Sequence, residues 1–212
     1  MLEHALIDKI TSTNLQLPVM EHFYSLQGEG YFSGQAAYFV RLAGCDVGCV
    51  WCDVKESWDA TLHPLKSVDE IVAGARSHQG KLCVITGGEP LLYDLTHLTK
   101  ALHEAGFIVN IETSASSPFT GHWDWICISP KKFKAPLPEN MLLAHELKII
   151  VFNISDFEWA EKQALMVSPT CKLYLQPEWD KANEILPLII NYIKDHPQWQ
   201  LSLQTHKFLN IP

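Results

Sequence analysis

The sequence has little positive charge, no long apolar run and no fourth cysteine beside a group of three. Its 212 residues include 16 basic and 24 acidic residues, a formal net charge of −8, so we expect neither a nucleic-acid partner nor an anionic membrane surface. No stretch is long enough to cross a bilayer. Glu3 and Asp8 lie where a signal peptide would be apolar. We therefore expect a cytoplasmic protein.

The composition fits one folded domain. Apolar residues make up 47% of the chain and charged residues 19%, which is enough to build a full core. The chain has no linker, internal repeat or low-complexity segment. The expected organisation is an N-terminal extension over residues 1–18, followed by a single domain over residues 19–212.

The six cysteines fall into two groups. Three lie in short strand-like runs, where they are expected to be buried core thiols: Cys83, Cys127 and Cys171. The other three lie close together in the stretch AGCDVGCVWCD: Cys45, Cys49 and Cys52. A disulfide framework is not expected in a chain of this length without an export signal.

Two cofactors suit three converging thiolates. A structural zinc ion has four ligands and would need a distant fourth one, such as His63. A cubane iron–sulfur cluster also usually takes four cysteines, so three would leave one iron free for another ligand. The cysteine spacing alone leaves both cofactors open.

Strand-like and helix-like segments alternate along the chain. Apolar strands are predicted at residues 36–44, 81–88, 107–113, 125–129, 146–152, 172–177 and 200–205. Helices are predicted at 67–79, at 94–106, from 155 onward and at 182–196. The predicted helix caps are Ser67 with Glu70, Asp94, and Ser155 with Glu158. Apolar strands that alternate with helices predict a parallel sheet covered by helices.

The predicted fold is α/β: a shortened, irregular partial TIM-type (β/α)6 barrel with mostly parallel strands. It is expected to be irregular or incomplete because the segment 113–125 is too short and polar for a full crossover helix. In such folds, chemistry gathers at the carboxyl ends of the strands. Six strand ends are polar or Gly-rich, namely the cysteine loop, TGGEP (86–90), ETSAS (112–116), SPKK (129–132), LQPEW (175–179) and QTHK (204–207).

Two of these strand ends carry a resemblance to a known superfamily. The C-x3-C-x2-C loop, with GGEP at the end of the next strand, resembles the radical S-adenosylmethionine (SAM) enzymes. In that superfamily the three cysteines hold a [4Fe–4S] cluster, and SAM binds the fourth iron through its amino and carboxylate groups. The resemblance therefore implies a cluster on Cys45, Cys49 and Cys52, with SAM as the second cofactor.

Further segments resemble one family, the 7-carboxy-7-deazaguanine synthases. They are FYSLQGEGYFSG (23–34), FVRLAGC (39–45), WCDVKESW (51–58), IETSAS (111–116), ISPK (128–131) and LSLQTHKFLNIP (201–212). These lyases convert 6-carboxy-5,6,7,8-tetrahydropterin to 7-carboxy-7-deazaguanine with loss of ammonia, on the route to queuosine and other 7-deazapurines. The resemblance implies hydrogen abstraction from C6 of the pterin by a 5′-deoxyadenosyl radical. It also implies a reduced flavodoxin or similar electron donor, and a homodimer.

The resemblance also implies the site residues. Arg41 would hold the substrate carboxylate through two parallel hydrogen bonds, and Gly88 would let SAM approach the backbone. The implied substrate contacts are Leu26, Gln27, Gly28, Glu29, Arg41, Thr86 and Pro212. The implied SAM contacts are Trp51, Cys52, Asp53, Gly88, Glu89, Ser129, Pro130, Lys131 and Gln176.

One position departs from the family. The residue two after the third cysteine is commonly Thr or Ser in these synthases, where its hydroxyl helps to hold Mg²⁺ beside the substrate. Here it is Val54, which offers no side-chain oxygen, although Mg²⁺ requires oxygen ligands. We expect a weaker dependence on Mg²⁺, with Asp53 as a candidate substitute ligand.

Two other functions stay open at this point. One is a different small radical SAM enzyme, such as a glycyl-radical activase, which would have no need of the LQGEG segment or of Arg41. The other is a non-catalytic zinc-binding module. Colour separates the second from the first, because a zinc protein is colourless and an iron–sulfur protein is brown.

Overall fold

The structure is a computed structural model that describes residues 16–212. Its strands are β1 (Gln16–Leu26), β2 (Ala36–Leu42), β3 (Leu65–Ser67), β4 (Leu82–Gly87), β5 (Ile108–Thr113), β6 (Trp125–Ile128), β7 (Glu146–Val151), β8 (Lys172–Pro177) and β9 (Trp199–Leu201). Its helices are α1 (Val68–Arg76), α2 (Thr96–Glu104), α3 (Pro138–Met141), α4 (Ser155–Ala164), α5 (Ala182–Asp195) and α6 (Thr205–Leu209). No helix over residues 16–212 is long and apolar enough to span a membrane.

All nine strands form one sheet in the order β3-β1-β2-β4-β5-β6-β7-β8-β9. The seven strands from β2 to β9 in this order are parallel, whereas β1 is antiparallel to both of its neighbours. Parallel neighbours need crossover connections, which most of the helices supply. Within the described residues the sheet is open, with β3 and β9 at its edges. The predicted α/β fold with a partial, mostly parallel barrel is confirmed.

The core lies between the sheet and its helices. Helix α2 places Leu98 and Leu102 against the sheet, and α5 places Ile185 and Ile189 there; each of these side chains is at most 2% exposed. A four-residue spacing puts two side chains on one face of a helix. Full burial of such an aliphatic side chain contributes about 1.5–3 kcal/mol, so these helices are held to the sheet by their apolar faces.

The predicted helices are found, but only one is capped as expected. Ser67 and Glu70 form the predicted capping box, with Glu70 N donating to Ser67 Oγ at 3.2 Å and Ser67 N donating to Glu70 Oε2 at 2.8 Å. Asp94 accepts from Thr96 N at 2.9 Å, just before α2 begins. The predicted Ser155 cap is wrong, because Ser155 is the first residue of α4 and its N–H donates to Asn153 Oδ1 at 2.9 Å.

Three strands differ from the prediction, and one of them is β3, a three-residue strand in a segment where no strand was predicted. Strand β1 was not predicted, since its sequence QLPVMEHFYSL mixes polar and apolar residues; residues 16–18 of the expected N-terminal extension belong to it, and residues 1–15 lie outside the described part. The last strand is shorter than predicted and ends at Leu201. Its continuation leaves the sheet because Thr205 donates twice to Gly28 O, from N at 3.0 Å and from Oγ1 at 2.9 Å.

Candidate active site

A cavity of about 370 Å³ lies at the carboxyl ends of the parallel strands. This volume is in the range typical of small-molecule sites. Of the residues predicted from the sequence, only Pro130 is absent from its wall; Pro130 is buried next to Ser129. The cavity wall includes Leu26, Gln27, Gly28, Glu29, Arg41, Cys45, Cys49, Trp51, Cys52, Asp53, Val54, Thr86, Gly88, Glu89, Ser129, Lys131, Gln176 and Pro212.

The three cysteines of the cluster motif lie in the loop after β2, and all are free thiols that line the cavity. The loop reverses direction at two glycines in the left-handed region, Gly44 (φ +96°) and Gly48 (φ +72°), where a side chain would be strained. Backbone bonds anchor it, including Gly44 N to Ser57 O at 2.6 Å and Cys52 N to Cys49 O at 3.1 Å. The conformation of the loop therefore suits the binding of one metal centre by the three cysteine sulfur atoms.

The spacing of the thiols is wider than a single metal ion requires. Among residues 16–212, the only group of three ligand atoms within 4.8 Å of one another is His103, His122 and Asp124, far along the chain from the cysteine loop. Thiolates on one tetrahedral zinc ion lie about 3.8 Å apart, given Zn–S bonds of about 2.3 Å. A cluster spreads its ligands over several irons and suits the wider spacing. His63, the distant zinc ligand considered above, has its Nε2 2.7 Å from Glu56 O.

Burial favours the protonated form of two of the loop thiols, Cys45 and Cys49. It raises the pKa of Cys45, and it raises the pKa of Cys49 to about 11, although the Lys131 ammonium acts in the opposite direction. The metal ligand is the thiolate, so cluster binding must release protons here. The other three cysteines are buried, as predicted: Cys83 lies in β4, Cys127 in β6, and Cys171 directly before β8.

Gly88 packs against the cysteine loop itself. A Cβ at this position would come well inside 3.0 Å of Gly44 O and would lie 2.9 Å from Cys45 Cβ. Two backbone bonds enforce this approach, Gly88 N to Leu42 O at 3.0 Å and Glu89 N to Gly44 O at 2.8 Å. The packing of the cysteine loop thus requires a residue without a side chain at position 88, whether or not a ligand also approaches Gly88.

The Glu89 carboxylate is buried, 1% exposed, and accepts four hydrogen bonds. Oε1 accepts from Leu91 N at 3.0 Å and from Thr113 Oγ1 at 2.5 Å. Oε2 accepts from Ser114 N at 2.9 Å and from Ser114 Oγ at 2.5 Å. A carboxylate has about four lone-pair sites, so this one ties β4 to the end of β5.

Lys131 extends the wall beyond the cysteine loop. Its Nζ donates to Ser129 O and to Ser129 Oγ, both at 2.6 Å, and lies 5.8 Å from the centre of the Trp51 ring. Burial lowers the pKa of Lys131. On β8, two strands away from β6 in the sheet, Gln176 is buried and its Oε1 accepts from Ser202 Oγ at 2.6 Å.

The other half of the cavity combines a flat aromatic surface with an arginine. Phe23 and Phe39 stack with ring centres 5.1 Å apart and an angle of 17° between their planes. Arg41 is paired with Thr86 in the β2–β4 register, which brings these two predicted residues side by side. Arg41 Nε donates to Glu21 Oε1 at 2.7 Å. Because Glu21 is partly exposed, that pair contributes little to stability but orients the guanidinium.

A buried charge cluster that was not predicted forms another part of the wall. Lys148, on β7, is 3% exposed and pairs with Glu29 and with Glu112, the latter at 3.2 Å. Gln27 Nε2 donates to Glu112 Oε1 at 2.7 Å. A lysine in the middle of the apolar run ELKIIV was the signal in the sequence, because lysine is almost never buried without a partner.

The residues near the expected Mg²⁺ position are a valine and an aspartate that already has a partner. Val54 lines the cavity without an oxygen in its side chain. The candidate substitute Asp53 is already paired, since its Oδ2 accepts from Lys207 Nζ at 2.7 Å and from Gln204 Nε2 at 3.3 Å. Burial raises the pKa of Asp53, but the bond from Lys207 outweighs it and the net shift is downward. One oxygen of the Asp53 carboxylate is thus already paired with a cation of the protein.

Known proteins are similar to this one in both sequence and fold. The sequence profile of the Radical SAM superfamily matches residues 40–128. A 7-carboxy-7-deazaguanine synthase from Flavobacterium psychrophilum is 55% identical over 92% of this chain and 93% of its own length. The chain belongs to the 7-carboxy-7-deazaguanine synthase family. The family includes the Escherichia coli synthase, which is 35% identical over 93% of this chain and 100% of its own length.

A solved structure agrees with this assignment. The crystal structure of QueE from Escherichia coli superposes with a TM-score of 0.79 at 29% identity, covering 93% of this chain and 97% of that one. A radical SAM family implies a [4Fe–4S] cluster and SAM, and the three widely spaced thiols and the cavity beside them fit both. The zinc-module alternative has no support in this geometry.

Proposed function

We propose that this protein converts 6-carboxy-5,6,7,8-tetrahydropterin to 7-carboxy-7-deazaguanine with loss of ammonia. The observation that carries the proposal is that the loop thiols, Arg41 and the carboxylates of Glu29 and Glu112 all line one cavity. That wall combines a cluster site with groups suited to the two ends of a carboxypterin. Family membership supports the same activity.

In this proposal the cofactors lie on the loop side of the cavity. Cys45, Cys49 and Cys52 would hold the [4Fe–4S] cluster, and SAM would bind beside it. When bound, the cluster and SAM supply the one-electron and hydrogen-abstraction chemistry that no side chain provides. The residues that would hold SAM are Trp51, Cys52, Asp53, Gly88, Glu89, Ser129, Lys131 and Gln176; Pro130, which does not line the cavity, would contribute only by shaping the loop.

The chain's own residues bind and orient the substrate. Arg41 would take the substrate carboxylate, because its guanidinium matches a carboxylate with two parallel bonds. Phe23 and Phe39 would lie against the flat ring system. In an enzyme whose cofactor carries out the difficult chemical step, holding the substrate in the reactive orientation contributes much of the rate acceleration.

The C-terminal segment would exclude water from the substrate. It is anchored on the 27–30 loop by the two bonds from Thr205 to Gly28 O, and Pro212 lines the cavity. His206 packs beside Gly28 as well, and burial lowers its pKa.

We further propose a weak dependence on Mg²⁺, a reduced flavodoxin or similar small electron donor, a homodimer and a cytoplasmic location. The first is supported by Val54 and by the pairing of Asp53 with Lys207. The others rest on the family resemblance. The proposed organisation is a single catalytic domain over residues 19–212, with β1 starting slightly earlier at Gln16.

The test is anaerobic turnover of the reconstituted protein with the pterin, SAM and a chemical reductant. Mass spectrometry should show 7-carboxy-7-deazaguanine and ammonia forming together, with many product molecules per SAM consumed. A glycyl-radical activase would consume SAM without using the pterin. A colourless, zinc-loaded protein without product would overturn the proposal.

A further inference from the structure

Three metal-ligating side chains meet at the amino ends of the parallel strands, at the opposite end of the sheet from the cavity. They are His103, in the last turn of α2, and His122 and Asp124, in the connection between β5 and β6. One ligand atom from each lies within 4.8 Å of the other two. None of these three side chains lines the cavity, so the proposed function does not use them.

The separations within this group are close to those of a zinc site. His103 Nε2 lies 2.8 Å from Asp124 Oδ2, and the His103 and His122 rings have centres 5.1 Å apart at an angle of 70°. Two imidazoles on one tetrahedral zinc ion would have centres about 5.2 Å apart, given Zn–N bonds of about 2.0–2.1 Å. Their ligand atoms would lie about 3.4 Å apart. The rings are therefore already placed, and the His103–Asp124 pair needs to open by only about 0.6 Å.

Hydrogen bonds hold two of the ligands in place before any ion binds. Asp124 Oδ2 accepts from Val109 N, in β5, at 2.7 Å, and a bond of this kind orients a carboxylate for a metal. The backbone of His122 is fixed as well, because His122 N donates to Thr99 Oγ1 at 3.1 Å. Thr99 is buried in α2 and donates in turn to Leu95 O at 3.0 Å. The ion would thus meet ligands on a rigid support.

The connection that carries two of the ligands has no helix of its own over residues 114–124. Side chains fasten its earlier part, since Asn140 Nδ2 donates to Ser117 O at 2.8 Å and Leu95 N donates to Thr120 Oγ1 at 3.0 Å. A metal ion at the far end would add one more fixed point. It would join this irregular connection to the helix that packs beside it.

The ligand types favour zinc over the hard divalent ions. Imidazole suits Zn²⁺, whereas Mg²⁺ prefers oxygen ligands. The same three ligands could hold Fe²⁺, but the general order of divalent affinities places Fe²⁺ below Zn²⁺. The position of His103 in the last turn of α2 also favours a cation, because the carboxyl end of a helix carries partial negative charge.

We propose that His103, His122 and Asp124 bind one zinc ion, which ties the connection between β5 and β6 to the end of α2. The ion would take the place of the hydrogen atom between His103 Nε2 and Asp124 Oδ2. A site with three protein ligands keeps water in its fourth position, so we expect reversible binding. The inference does not depend on the proposed function, and it concerns a site separate from the cysteine loop.

The first experiment titrates the cluster-loaded protein with Zn²⁺ under anaerobic conditions. The cluster must be present because free thiolates of the cysteine loop would also bind zinc. A fluorescent zinc chelator competes for the ion, and the brown absorbance of the cluster is followed in parallel. We expect one zinc ion per chain with micromolar or tighter affinity, no loss of absorbance, and no displacement by a large excess of Mg²⁺. Absence of such binding would overturn the proposal.

X-ray absorption at the zinc edge identifies the ligands in the same unaltered protein. We expect nitrogen and oxygen neighbours at about 2.0–2.1 Å and no sulfur at about 2.3 Å. The iron of the cluster does not disturb this measurement, because it absorbs at a different energy. Sulfur neighbours would place the zinc on cysteines and would refute the site. This readout needs no variant, so it holds even if a substituted protein does not fold.

His122→Ala tests the assignment, and His97→Ala is its matched control. His122 is exposed, and His97 is an exposed imidazole on the same helix as His103. His122→Ala should weaken zinc binding at least about a hundredfold, since loss of an outer-shell partner alone costs about 10–100-fold. His97→Ala should bind zinc as the unaltered protein does. Unchanged affinity in His122→Ala, or an equal loss in His97→Ala, would contradict the assignment.

Amide hydrogen exchange tests whether the ion ties the connection to α2. If local opening releases the ion, zinc at about ten times its Kd should slow exchange over residues 117–124 about tenfold. Exchange in α4 should stay the same, and zinc should have no effect on residues 117–124 in His122→Ala. Bound zinc that leaves this exchange unchanged in the unaltered protein would refute the structural role.

Discussion

Gly88→Ala tests whether the second glycine of the GGEP motif is needed for packing of the cysteine loop or only for binding of SAM. The added Cβ would approach Gly44 O and Cys45 Cβ at distances that real Cβ atoms do not tolerate. Since Gly44 is backbone in a hydrogen-bonded loop, it cannot rotate away as a flexible side chain could. The loop or the end of β4 must move instead.

The cost follows from the contacts that this movement breaks. Opening the bonds from Gly88 N to Leu42 O and from Glu89 N to Gly44 O costs about 1 kcal/mol each. Overpacking at a closed contact adds about 1–3 kcal/mol. The expected loss is therefore about 3–5 kcal/mol, a large share of the roughly 5–15 kcal/mol that stabilises an ordinary domain.

The assay is urea unfolding of the cluster-free protein, followed by iron content after reconstitution. Gly34→Ala is the matched control: Gly34 has φ +86° but nothing within 4 Å of the added Cβ, so it should lose only about 1–2 kcal/mol through backbone strain. Gly88→Ala should lose more and load less iron. If its cluster-free stability and iron loading match the unaltered protein while SAM affinity falls, the loop-packing argument is wrong.

Three further predictions concern the cluster, the substrate and the metal. Cys49→Ala should abolish iron binding and brown colour, whereas Cys83→Ala should retain both; the reverse pattern would remove the cluster from this loop. Arg41→Lys should weaken pterin binding at least about tenfold with SAM binding unchanged, because lysine cannot form the two-bond fork; an equal loss of SAM binding would move Arg41 out of the substrate site. Val54→Thr should increase the ratio of turnover with Mg²⁺ to turnover with a chelator that spares the cluster. The double variant Val54→Thr with Lys207→Met, in which Asp53 is released from Lys207, should increase this ratio further. Strong Mg²⁺ activation of the unaltered protein would contradict both expectations.

The cluster loop was predictable because its signal is local. Cys45, Cys49 and Cys52 are close in sequence, and the glycines that turn the loop stand among them. The capping box of Ser67 and Glu70 was predictable for the same reason, since both partners lie within one helical turn. Such features need no knowledge of which strands meet.

The missed features depend on contacts between distant residues. Strand β1 is antiparallel and partly exposed, so neither alternation nor a continuous apolar run marks it. The end of β9 is set by Thr205 bonding to Gly28, a pairing between the two ends of the described chain. Lys148 and Glu112 stand on different strands, and only the order β5-β6-β7 brings them within reach of Glu29.

Glu89 shows how the scaffold and the cofactor site share the same residues. Its backbone N–H bonds to Gly44 O in the cysteine loop, and its carboxylate takes all four of its bonds from Leu91, Thr113 and Ser114. A SAM amino group that approached this carboxylate would have to share or displace one of those donors. The GGEP motif therefore joins the cluster loop to two strands before any ligand binds, and loss of activity after its mutation does not by itself identify a SAM contact. Iron loading and SAM affinity must be measured separately to tell the two roles apart.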